Sequence, residues 1–112
     1  MNPGTNEEVK VHTNVIKRNG QEVTFDISKI INAIGKANNE VNEIHQLNEF
    51  QIRAIADNIA KKMSSYTHAA NVEDIQDMVE TGIMEMRGYE VAQKYVRYRY
   101  KREISRKSNT TD

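Results

Sequence analysis

The 112-residue sequence predicts an α+β fold, an N-terminal β-hairpin packed on a four-helix bundle. Three observations lead there. An Asn19-Gly20 dipeptide separates two β-prone runs, a strong short-range hairpin signal. Four later segments repeat their aliphatic residues at helical spacing. The length suits one core rather than two.

The hairpin joins VHTNVIKR to QEVTFD. A two-residue type I′ turn would set Arg18 against Gln21, Lys17 against Glu22 and Ile16 against Val23, leaving Ile16, Val23 and Phe25 on one face. That face should cover the helices, because an isolated hairpin is not stable. Helix one follows, capped by Asp26 or Ser28, with Ile27, Ile30, Ile31, Ile34 and Ala37 as its stripe. NNEVNEIHQ reads as a loop. Helix two begins near Asn48, with Gln51 placed for a capping box and Ile52, Ile55, Ala56, Ile59 and Met63 facing inward. Asn71 should cap helix three, which buries Val72, Ile75, Val79, Ile83 and Met86 and stops at Gly88. Helix four runs from Tyr89 past Lys101, with Val91, Ala92, Tyr95 and Val96 inward. Residues 1–10 are expected to be disordered, residues 11–104 to form the domain, and residues 105–112 to be a loose polar tail.

Composition narrows the chemistry. There is no cysteine, so disulfides, thiolate catalysis and cysteine-ligated zinc are excluded within the chain. His12, His45 and His68 are scattered without metal-ligand spacing, and no metal site is expected from side chains. No apolar run is long enough to span a membrane and no signal-peptide pattern opens the sequence, so the cytoplasm is the expected location. Sixteen basic and sixteen acidic residues balance, which gives no global argument for nucleic acid. Phosphate-loop, dinucleotide, zinc-protease and nucleophile-elbow motifs are absent.

Three features suit an anion. Lys17 and Arg18 lie beside the hairpin turn. Lys29 lies one turn into helix one, near free N–H groups. On helix four, Lys94, Tyr98 and Lys101 share a side, within a stretch from Tyr89 to Lys107 that holds seven basic residues against Glu90 and Glu103. Lysine neutralises phosphate as a point charge, arginine grips it bidentately and an aromatic ring can stack on a base. The residues alone reach an anion site between hairpin and helices. An alternative use of the basic helix is as a nucleic-acid-binding or transcriptional-regulator module, which would show steep salt dependence.

The order Val15-Ile16-Lys17-Arg18-Asn19-Gly20, Val23-Thr24-Phe25-Asp26 and Lys29-Ile30, continued by Val72 to Glu80 and by Val91-Ala92 through Tyr95 to Arg99, resembles ATP-cone domains over residues 13 to 104. Such cones stand at the N-termini of ribonucleotide reductase large subunits and in a zinc-ribbon repressor. The absence of cysteine disfavours the repressor, and the segment from Lys101 to Asp112 looks like the lead into the catalytic part of anaerobic ribonucleoside-triphosphate reductases.

The resemblance implies an allosteric sensor, not an enzyme in itself, with ATP permitting activity and dATP stopping it. It implies Lys17, Arg18 and Lys29 on phosphates, Val15, Asn19 and Phe25 lining the pocket, Gln76 and Tyr98 facing base or sugar, and Lys101 reaching a phosphate. Mg²⁺ would enter with the phosphates. The implied partners are the catalytic domain of the parent reductase and further copies of the cone. Val23 departs from the glutamate that many cones carry there, which bears on whether one or two nucleotides bind.

Overall fold

The computed structural model describes residues 14–109, with side chains described as far as Ser105. The expected disorder of residues 1–10 and the first residues of the hairpin lie outside them. The elements are β1 (Asn14–Ile16), β2 (Glu22–Thr24), α1 (Ile27–Asn39), a 3₁₀ helix (Glu43–His45), α2 (Glu49–Met63), β3 (Ala70–Asn71), α3 (Val72–Glu85) and α4 (Tyr89–Asn109). The architecture is the expected α+β one, a small sheet on four helices. Each helix packs on two others, α1 on α2 and α4, and α3 on α2 and α4. Ile34, Ile55, Met63, Val79, Ile83 and Val91 fill the centre of the ring, and the predicted aliphatic stripes supply all of them.

The hairpin forms in a different register. Val15 faces Val23 and Ile16 faces Glu22, one residue away from the expected pairing. The cause is the turn. Lys17 N donates to Gln21 O at 2.8 Å and Gly20 N to Lys17 O at 2.9 Å, so Arg18, Asn19 and Gly20 make a three-residue loop. Gly20 has φ 88° and Asn19 does not enter the left-handed region, whereas a type I′ turn needs positive φ at both central residues. The Asn19 side chain accepts from Gln21 N at 2.9 Å instead. A one-residue shift exchanges the two faces of a strand. Val15 therefore joins Val23 and Phe25 against the core, in place of Ile16, and Lys17 falls on the same side as Val15.

The sheet has a third strand that periodicity did not predict. β3 pairs in parallel with β1, Val15 with Ala70 and Ile16 with Asn71, so β1 is central in the order β2-β1-β3. Within the expected loop after α1, the buried Asn38 clamps the chain. Its Nδ2 donates to Leu47 O at 2.9 Å and its Oδ1 accepts from Leu47 N at 2.8 Å. Asp26 caps α1, and Asn48 with Gln51 forms the expected capping box on α2.

Other helix ends differ from expectation. Asn71 occupies the cap position of α3 without a side-chain bond, while Glu73 and Asp74 meet the positive helix terminus. At the end of α3, Arg87 rather than Gly88 takes the left-handed conformation, with φ 64°. Gly88 N donates to Ile83 O at 3.0 Å and Arg87 N to Met84 O at 2.9 Å, the paired bonds of a Schellman ending. Gly88 is needed for space, since a Cβ there would lie 2.9 Å from Leu47 Cδ2. Val96, expected inward, is 44% exposed. The tail expected to be loose from Ser105 is helical to Asn109, because no proline or glycine interrupts it.

Candidate functional site

The exchanged hairpin face opens onto a cleft between sheet and helices. Val15 of β1, Val23 and Thr24 of β2, and Phe25 form one wall. Ile30 and Ala33 of α1, with Val72, Ile75 and Gln76 of α3, form the opposite side. Tyr95 and Arg102 of α4 complete it, and Lys17, Arg18, Asp26 and Lys29 stand among the lining residues. The cavity is about 230 Å³, below the roughly 300–1,000 Å³ of most small-molecule sites. Three surface grooves among the described residues are larger, about 440 Å³ between α2 and α3, about 720 Å³ between α1 and α2, and about 380 Å³ beside the 3₁₀ helix. The first two draw their lining from neighbouring helices and the third mainly from the 3₁₀ helix and the α3–α4 connection, whereas the cleft gathers cations from the hairpin, α1 and α4. The cleft is the candidate site for that reason.

Of the residues singled out from sequence, Val15, Lys17, Arg18, Phe25, Lys29 and Gln76 all line it. Asn19, Tyr98 and Lys101 are not among the lining residues. Asn19 is engaged in the turn. Lys101 is exposed. Tyr98 stands behind Arg102, with its hydroxyl 3.3 Å from Arg102 Nη1 and 3.4 Å from Lys36 Nζ. Both cations also lie against its ring, at 5.7 and 5.6 Å from the centroid, a cation–π arrangement. Partial burial pushes the Tyr98 phenol up, but hydrogen bonds from Arg102 and Lys36 outweigh this and hold it below its ordinary value. Tyr98 thus positions Arg102. Arg102 and Tyr95 are the additions from α4. The sequence signal for Arg102 is its i,i+4 relation to Tyr98.

Arg18 is tied across the cleft rim. It forms a short ion pair with Glu73, donates to Gln76 Oε1 at 2.9 Å, and lies 3.9 Å from Glu103 Oε1. Its side chain is 16% exposed. Lys17 and Lys29 are exposed and form no salt bridge among the described residues. Asp26 caps α1 by accepting from Ser28 Oγ at 2.7 Å and Ser28 N at 3.0 Å. Those bonds, outweighing slight desolvation and aided by Lys29, hold its carboxyl below the usual range. Behind the site, Arg99 of α4 binds Asp77 at 2.9 Å and Glu80 at 2.7 Å on α3. Burial works against its charge, and these carboxylates more than compensate. Two arginines therefore fasten α3, one to the hairpin and one to α4.

An apolar-walled cleft with a cationic rim, set between a hairpin and four helices, suits an anion that carries an apolar part. The chain belongs to the ATP cone domain family, whose profile matches residues 13–104. It is similar to the anaerobic ribonucleoside-triphosphate reductase of Haemophilus influenzae, with 34% identity over 97 residues. That similarity covers 86% of this chain and 13% of the reductase. No described helix is long and apolar enough to cross a membrane.

Proposed function

We propose that the chain senses adenine nucleotides, ATP or dATP, and regulates an anaerobic ribonucleoside-triphosphate reductase of which it is the cone. The observation that carries this reading is the meeting of Lys17, Arg18, Lys29 and Arg102, from three separate elements, on one apolar-walled cleft. Phosphates suit the cationic rim, and a base suits the space between Phe25, Ile30 and Ile75. Arg18 would exchange the Glu73 carboxylate for a phosphate, which widens the cleft as it neutralises the ligand. Asp26 is the lining carboxylate able to face Mg²⁺ carried in on phosphate oxygens, since Mg²⁺ commonly combines one or two carboxylates with phosphates.

ATP and dATP differ by one ribose hydroxyl. Regulation requires that this group favour one conformational or oligomeric state over another, with a coupling of about 1–3 kcal/mol. Reduction itself belongs to a catalytic domain outside residues 1–112, acting in the cytoplasm, with self-association of cones as a further means of control.

Calorimetric titration with ATP and dATP tests the proposal, and no heat at millimolar nucleotide would sink it. Replacing Lys17 and Lys29 together by alanine should remove two charge-assisted phosphate contacts. At about 1.5–3 kcal/mol each, that is a loss of a hundredfold or more in affinity. Helical circular dichroism should be unchanged, because both side chains are exposed.

A further inference from the structure

Tyr95 is 4% exposed, yet its hydroxyl makes no hydrogen bond among the described residues. Two charged or phenolic neighbours on α4 are engaged elsewhere. Arg99 is held by Asp77 and Glu80, and Tyr98 by Lys36 and Arg102. A buried hydroxyl without a partner is costly, and phenylalanine would fill the same volume without that cost. Tyr95 also lines the cleft, as do Gln76 and Arg102. The lysines that suit phosphate come from the hairpin and α1, whereas Tyr95 stands on α4, in a wall shared with the amide of Gln76.

We infer that the Tyr95 hydroxyl is a specificity-determining contact, completing its hydrogen bond on the neutral nucleoside part of the ligand, at a sugar hydroxyl or a base edge. This rests on the nucleotide-binding reading above. Burial pushes the Tyr95 phenol up to about 12, so at neutral pH the group remains protonated and can donate as well as accept. A neutral donor in a dry wall discriminates strongly, because a ligand lacking the matching atom leaves the hydroxyl unpaired.

The test is Tyr95→Phe in the full 112-residue chain, titrated with ATP, dATP, GTP and sodium tripolyphosphate. Tripolyphosphate should bind wild type and variant alike, since it reaches only the cationic rim. ATP should bind the variant roughly five- to tenfold more weakly, the effect of one buried hydrogen bond. If the loss falls on ATP and spares dATP, the partner is the ribose 2′-hydroxyl. If it falls on ATP and dATP equally and spares GTP, the partner is the adenine edge. Equal ATP affinity in variant and wild type overturns the inference while leaving the nucleotide reading standing. Failure of wild type to bind ATP removes both. Without ligand, the variant should melt no lower than wild type; a lower melting temperature would show that the hydroxyl already has a partner.

Discussion

Arg18 illustrates how one side chain can serve two states. In the ligand-free molecule it bridges the hairpin to α3 through Glu73 and Gln76 and approaches Glu103 on α4. A phosphate must compete with those acceptors. The Glu73 side chain is 57% exposed, so the pair is close to a surface ion pair, worth up to about 1 kcal/mol. Glu73→Gln should therefore tighten triphosphate binding by roughly two- to fivefold, with little change in stability. Titration at low and high salt checks this, and the advantage should shrink as salt rises. Weaker binding in the variant would mean that Glu73 holds Arg18 in its productive position instead.

At the scale of elements, the connections carry most of the design. Arg87 closes α3 in the left-handed region, which costs an L-residue roughly 1–2 kcal/mol. Arg87→Gly removes that cost but frees the unfolded chain, so a net gain of about 0.5–1 kcal/mol is expected, measured by urea denaturation. Local rules made the four helices legible, because a stripe such as Ile52, Ile55, Ala56, Ile59 and Met63 repeats over several turns. They misplaced the hairpin register because Asn-Gly serves both a two-residue turn and the last two positions of a three-residue one. The three-residue turn that forms brings Val15 rather than Ile16 to the buried side of the sheet. β3 was illegible for another reason. Two residues, Ala70 and Asn71, carry no alternation, and their pairing depends on where β1 happens to lie.

For the whole molecule, the buried phenol of Tyr95 links stability to pH. Its pKa is raised from 10.0 to about 12 on folding, so between those values the unfolded chain releases a proton that the folded one keeps. Stability from this group is intact below pH 10 and is lost as pH rises towards 12, by roughly 2–3 kcal/mol. Alkaline denaturation should be shallower in Tyr95→Phe than in wild type across that window, and parallel curves would refute the assignment. The candidate site was legible in part for a related reason. Lys17, Arg18 and Lys29 sit close together in sequence, whereas Arg102 and Tyr95 reach the cleft only through the packing of α4 on α1 and α3. The Tyr95 ring, moreover, lies within an apolar stripe and reads from sequence as core.

The central position of β1 has a consequence in time. During synthesis the chain emerges from its N-terminal side, at about 5–20 residues per second. β1 and β2 are thus made well before β3, which follows α1 and α2, and before Arg102, which is later again. Until those segments arrive, Val15 has no floor beneath it, and a lone hairpin has little stability in water. The cleft is accordingly completed only once α4 has been made, and no shorter nascent segment has all of its walls.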